Sequence, residues 1–252
     1  KLLYEKYLIE LSQKLNNIHN CDNSLRYWRI LIGPWLSCFI NNTFDRYLSI
    51  KKAIIKENVQ STWILKTDIN QSIAKDYLQF SEFCKSDEWN HYIFGEIIKY
   101  VKKVPYKKIG LYNNPLKKNQ SESQNKIFKI IIKNIFNYYL INIANRFKQH
   151  VFITTYLSPI DLIKLQLSLK QLPYPFDPAI NLPDVEISLK MREQLNNFNC
   201  ENEFENIVSK IIPLQVPKIY FEGYLSLKKI ALSCLPKNPK TIFTANAYSA
   251  NE

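Results

Sequence analysis

The run from Asn23 to Tyr47, NSLRYWRILIGPWLSCFINNTFDRY, constrains the fold more than any other stretch of the chain. It concentrates Trp28, Trp35, Arg26, Arg29 and Arg46 around the pair Gly33-Pro34, in a chain with only four glycines. Ser24 is a good helix N-cap, because its hydroxyl can accept from a free amide of the first turn. Arg26, Arg29 and Gly33 follow at i, i+3 and i+7, on one helical face. Tyr27, Trp28, Ile30 and Leu31 fill the remaining circumference, so burial on most sides is expected. Pro34 has no amide hydrogen and biases Gly33 away from the α region. A kink is therefore expected there, or a restart with Pro34 in the first turn of a new helix. Leu36, Ile40, Phe44 and Tyr47 form a second apolar stripe. Trp28 and Trp35 are expected in the core.

Two arginines on one face of a largely buried helix are costly unless they meet anions. A ligand carboxylate or phosphate would suit the guanidinium fork. Internal pairing with Asp22, Asp45 or another acid would serve as well. The spacing points Arg26 and Arg29 toward a cleft shared with His19, which arrives on the polar turn before Ser24.

With 252 residues the chain can bury a substantial core. Its 46% hydrophobic and 22% charged residues are those of a globular protein rather than a disordered one. The net charge of +12 favours anionic partners: nucleic acid, an anionic membrane or phosphorylated substrates. The lysines are scattered, and an AT-rich genome would give the same Asn-, Ile- and Lys-rich composition. Five widely spaced cysteines without a CxxC pair argue against zinc and for free thiols in a reducing cytoplasm. No apolar run reaches transmembrane length. The four glycines, Gly33, Gly95, Gly110 and Gly223, lie too far apart to build a GxGxxG or a Walker A loop, and neither these nor GxSxG nor HxxxH occurs.

In chain order, Leu2 to Asn17 reads as an amphipathic helix, and the helical pair after it extends to about Glu57. Ser61 to Thr67 is a strand, followed by Asp68 and a helix. This βα grammar places Asp68 at the carboxyl end of the strand, the edge where open α/β sheets bind ligands. Helices are expected at Ile69–Phe83, Asp87–Val101 and Lys126–Phe147. Strands are expected at Lys108–Tyr112, His150–Tyr156 and Lys240–Ala245. Pro159 opens a helix after Ser158. The Gln171–Asp184 stretch, with four prolines, reads as an extended connection. Helices follow at Val185–Asn196, Glu201–Ile212 and Ile219–Ser233. The result is a helix-rich, layered α/β fold with a largely parallel sheet covered by helices on both faces.

His19 and Ser24, then RYWRILIGPWL and FDRY, with PKTIFTANAYSANE at the far end, resemble a family of bacterial surface-polysaccharide (O-antigen type) biosynthesis transferases. The two motifs bracket nearly the whole chain. The resemblance implies the N-terminal, acceptor-side lobe of a two-lobed (GT-B-like) glycosyltransferase, spanning 1–252 as one lobe with helical elements at 1–57 and 185–235. A donor-nucleotide lobe would follow beyond Glu252, and residues 1–252 alone would then be an inactive fragment of the glycosyltransferase. The implied activity moves a sugar from a nucleotide-activated donor to a glycan or lipid-linked acceptor, on the way to a cell-surface polysaccharide. No cofactor or metal is expected, because the nucleotide sugar is itself a substrate. His19 or Asp68 would be the general base. Ser24, Arg26, Arg29, Tyr156, Asn246 and Tyr248 would bind substrate. The expected place is the cytoplasm, with peripheral association with the anionic inner face of the membrane. The alternative is a non-enzymatic basic module for nucleic acid or anionic membrane, although no specific nucleic-acid signature is present.

Overall fold

The computed structural model describes residues 2–101, 104–111, 150–153, 155–171, 173, 182–234 and 239–244. The expected helix at 126–147 and the expected site residues Asn246 and Tyr248 lie outside them. The chain divides into two compact units: Lys1–Asn113 with Pro183–Leu227, and Asn114–Leu182 with Lys228–Glu252. The fold is helix-rich α/β with small parallel sheets.

In the first unit, α1 (Leu2–His19) packs along α2 (Leu25–Glu57), a single helix of 33 residues. Ser24 caps α2 as expected, its side chain accepting from Tyr27 N at 3.2 Å. The expected break at Gly33-Pro34 does not occur. Pro34 sits inside the continuous helix, and only the carbonyl of Ile30, four residues earlier, loses its helical donor. Ile30 is 64% exposed, which leaves its neighbourhood open to water and corrects the expectation that it is buried. Gly33 serves packing instead: a Cβ there would lie 2.6 Å from Tyr4 Oη.

Trp28 and Trp35 are fully buried, as expected. Trp28 Nε1 donates to Asn16 Oδ1 at 2.8 Å. Trp35 stacks on Phe39 at 5.6 Å and meets Phe80 edge-on at 6.3 Å. Phe80 in turn meets Trp89 at 5.4 Å, and Trp89 Nε1 donates to the buried Gln215. One aromatic cluster thus ties α2 to α4 (Tyr77–Phe83), α5 (Asp87–Val101) and the 212–215 turn.

After α2 comes β1 (Thr62–Lys66), then α3 (Ile69–Ser72), α4 and α5, then β2 (Tyr106–Leu111). The expected helix Ile69–Phe83 is split. Ala74 O and Lys75 O accept from Lys218 N and Ile219 N, each at 2.9 Å, so this segment bonds across the unit rather than along a helix. Asp76 then caps α4, accepting from Gln79 N. β1 and β2 pair in parallel, with Ile64 opposite Lys108 and Trp63 opposite Lys107. Side chains alternate along a strand, so Ile64 faces α5 while Trp63 faces away. Trp63 is 70% exposed, which corrects the expectation that helices cover both faces.

The expected helix at 185–196 shrinks to α7 (Leu189–Arg192) and a 3-10 turn, Glu193–Leu195. The reason is Glu222. Its carboxylate accepts from Ser188 N, at 3.1 Å, and takes the Arg192 fork, with Nε and Nη2 donating at 2.6 Å each. Arg192 Nη1 also donates to the carbonyls of Pro213 and Val216. α8 (Glu203–Ile211) and the start of α9 (Tyr224–Cys234) complete this unit.

The second unit holds β3 (His150–Ile153), parallel to β4 (Thr241–Thr244), and α6 (Pro159–Ser168) with Pro159 in its first turn. Gln171 bonds both backbone groups of His150. All four expected strands are therefore present within a residue or three of their expected ends. They form two two-stranded pairs rather than one sheet.

Trp28→Ala and Trp35→Ala should each lower stability by about 3–5 kcal/mol, as large core truncations. Arg192→Ala should cost a similar ~3–5 kcal/mol, because it strands Glu222 as a buried, unpaired charge. Chemical denaturation checks all three. A loss within error of zero for any one would remove that residue from the scaffold.

Candidate functional site

The carboxyl end of β1 is the polar edge of the first unit. Ile64, Leu65, Lys66 and Thr67 form one side of a cavity of about 140 Å³ there. Tyr92, Gly95, Glu96 and Lys99 of α5 form another, and Lys108 of β2 completes it. The local rules explain this grouping. Tyr92, Gly95, Glu96 and Lys99 fall at i, i+3, i+4 and i+7, one face of α5. Lys66 lies two residues after Ile64, and Lys108 lies opposite Ile64, so both share the face that meets α5. The pairing register shifts between Leu65 and Lys66, and β2 accommodates it at Gly110. Gly110 has φ +56, a left-handed conformation that glycine adopts without steric cost. Bulges of this kind re-aim side chains at strand ends.

Glu96 pairs with Lys99 inside the cavity, and the carboxylate is nearly buried. Among the described residues, Lys66 and Lys108 make no ion pair. Asp68 lies one residue beyond Thr67. It is exposed and caps α3, accepting from Asn70 N at 2.9 Å. Lys218 lies on the same side, with Nζ donating to Asn70 O at 3.4 Å. Burial, and then Arg192, lower the Lys218 pKa, while Asp184, Glu222 and Asp68 oppose the shift.

His19 ends α1 in a different setting. Its ring stacks on Tyr224 at 4.4 Å and packs against Phe221 at 5.9 Å and Trp28 at 6.3 Å. It is 8% exposed, and Nε2 has no hydrogen-bond partner. Burial lowers its pKa to about 4, so the imidazole is neutral at pH 7. Asn16 fixes the turn beside it, accepting from Trp28 Nε1 and Asn23 N and donating to Asn23 O. Asn23 in turn donates to Tyr224 Oη at 2.7 Å.

The expected cleft shared by His19, Arg26 and Arg29 is not what the structure shows. The Arg29 fork is filled by Glu5, with Nη1 and Nη2 donating to the two carboxylate oxygens at 2.6 and 2.7 Å. Glu5 lies about 21 Å along α1 from His19 at ~1.5 Å per residue. Arg26 is exposed, and Ser24 spends its hydroxyl on the α2 cap. Tyr156 belongs to the second unit and is 77% exposed. The acid that pairs with Arg29 comes from α1, a contact that no local spacing in the Asn23–Tyr47 run announces.

Sequence reasoning placed Asp68 just past the carboxyl end of β1, where the structure has it. It missed Lys66, Glu96, Lys99 and Lys108. The alternation in Ile64–Lys66 was a usable signal for Lys66. Lys108 depends on strand register, which the sequence does not display. Among the described residues, no group of three His, Cys, Asp or Glu side chains suits a metal ion, and no helix is long and apolar enough to cross a membrane.

The depressed His19 pKa carries a stability prediction. The unfolded chain, with an ordinary imidazole, binds a proton that the folded chain does not bind between about pH 6.5 and pH 4. Folding stability should therefore fall as pH falls through that window. Below it the loss should stop growing. His19→Gln should flatten this segment of the stability curve in urea melts at stepped pH. Parallel curves for the two proteins would show that His19 titrates alike in the folded and unfolded chains, and so is not depressed by burial.

No curated protein and no solved structure is significantly similar to the chain. One family model, described as LIC12162 family transferase, matches residues 1–252, its whole length. The chain belongs to the LIC12162 family of transferases.

Proposed function

We propose that this transferase moves a sugar from a nucleotide-activated donor to a glycan or lipid-linked acceptor of a cell-surface polysaccharide, and that the first unit handles the acceptor. The observation that carries this reading is the exposed Asp68 carboxylate at the carboxyl end of the parallel strand β1, beside a basic cavity. Ligands of open α/β folds bind at that edge. A helix-rich α/β unit with a parallel strand pair also suits the N-terminal lobe of a two-lobed, GT-B-like enzyme. Membership of a transferase family supports group transfer in general.

In this mechanism an acceptor hydroxyl lies against Asp68. The carboxylate takes the hydroxyl proton as the oxygen bonds to the anomeric carbon, and the donor nucleotide leaves with the electron pair of the broken glycosidic bond. One Asp68 oxygen accepts from Asn70 N, which fixes the carboxylate's orientation. Asp68 suits the role of base better than His19, whose free Nε2 is enclosed by rings. His19, Trp28 and Tyr224 hold the α1–α2 turn, and Arg29 joins the two helices through Glu5.

The test supplies the whole purified protein, any lobe that follows Glu252 included, with a panel of nucleotide sugars and a lipid-linked glycan acceptor, and follows nucleotide release and product mass. One donor should give transfer. Asp68→Asn should lower turnover at least tenfold, about 1.4 kcal/mol of transition-state stabilisation, with an unchanged melting temperature. Full turnover in Asp68→Asn would remove it as the base. Absence of transfer from every donor would sink the sugar-transfer reading.

A further inference from the structure

We infer that the cavity at the carboxyl end of β1 is a binding site for a phosphate or diphosphate group, held by Lys66, Lys99 and Lys108. The inference stands on the cavity and its charges. The sugar-transfer reading only says which molecules would bring such a group.

Three lysines, Lys66, Lys99 and Lys108, and one glutamate, Glu96, line a space of about 140 Å³. That leaves two net positive charges. A phosphate monoester carries roughly −1.5 to −2 at neutral pH, which matches them. A carboxylate ligand would leave one positive charge unmatched. Without an anion, the like charges of Lys66 and Lys108 face the same small volume with no ion pair to relieve them. Lysine binds phosphate as a point charge, and three converging lysines satisfy several oxygens without the planar fork that arginine requires.

The lysines come from three separate elements: the end of β1, α5 and β2. Scattered surface lysines need not share a face, but these do, through the Ile64–Lys108 register and the i, i+2 relation of Ile64 to Lys66. The back wall is apolar at Ile64 and carries Gly95, where a Cβ would already stand 3.6 Å from Ile64 Cβ. A low-dielectric wall behind the charges strengthens their field in the open direction. Glu96 has a role here beyond opposing charge. It holds Lys99 against the α5 face and so fixes one of the three ammonium groups in the cavity.

Thr67 lines the cavity and Asp68 follows it in the chain, outside the lining, so the cavity and the carboxylate proposed as the base belong to the same strand end. Volume sets the ligand's scale. At about 140 Å³ the cavity has the scale of a phosphate-sized group, and the rest of a larger ligand would extend out of it.

Isothermal titration calorimetry at fixed ionic strength tests this, with three probes: inorganic pyrophosphate, uridine diphosphate and geranyl diphosphate. At least one should bind saturably with unit stoichiometry. The variant Lys66→Gln/Lys108→Gln, with both positions exposed and a normal melt, should weaken that binding at least tenfold. Lys52→Gln/Lys56→Gln, which removes equal charge elsewhere, should leave it within twofold. Tighter binding of uridine diphosphate than of pyrophosphate assigns the site to a nucleotide. Tighter binding of the prenyl compound assigns it to a lipid-linked acceptor, and equal binding assigns it to the diphosphate alone. No saturable binding of any probe, equal weakening by the two variants, or unchanged affinity without Lys66 and Lys108 would overturn the proposal. Binding as described in a protein that transfers no sugar would leave this site standing and overturn only the reading of the reaction.

Discussion

A helix of 33 residues is about 50 Å long at ~1.5 Å per residue, and isolated helices of ordinary sequence are marginal in water. α2 therefore depends on what it buries, and the first unit is arranged to bury it. Trp28 and Trp35 supply the largest apolar surfaces. Trp28 docks on the α1–α2 turn through Asn16, and Trp35 docks on Phe39 and Phe80. Further along, Phe44 and Tyr47 pack on Phe204 of α8. A proline in the middle of such a helix removes one hydrogen bond. The burial on either side keeps the helix continuous through that loss, without a restart.

The elements that were legible in the sequence are those set by local chemistry. Ser24 caps α2, Asp87–Val101 is a helix from end to end, and Pro159 opens α6. Each depends on residues within a turn or two. Expectations failed where distant groups decide. The 69–83 segment has helical periodicity, yet Ala74 and Lys75 give their carbonyls to amides nearly 150 residues away. The 185–196 segment is shortened by Glu222, which takes both the Ser188 amide and the Arg192 fork. Arg29 of the opening motif looked like a ligand group because its acid, Glu5, lies on the preceding helix. The same limit applies to the site. Asp68 was visible from a strand-then-acid pattern. Lys108 joins it only through a parallel pairing between strands separated by three helices.

This distribution of roles gives the first unit a consistent logic. The Trp- and Arg-rich motif builds the scaffold: its tryptophans fill the core, Arg29 ties α2 to α1, and His19 is neutral within aromatic rings. The buried Arg192–Glu222 pair anchors the 183–222 segment against that scaffold, and Lys218 at its end borders the Asp68 side. Polar, unpaired and accessible groups collect instead at the end of β1.

The central claim is that the carboxyl end of β1, rather than the Trp- and Arg-rich motif, is the working surface of this transferase. Lysine acetylation footprinting with and without pyrophosphate tests it most directly, because lysines line the cavity and also flank the motif on α1 and on the later turns of α2. The account predicts protection of Lys66, Lys99 and Lys108, with Lys14 and Lys52 labelled equally in both conditions. Protection centred on the α1–α2 lysines, with Lys66 and Lys108 labelled as freely as before, would contradict it.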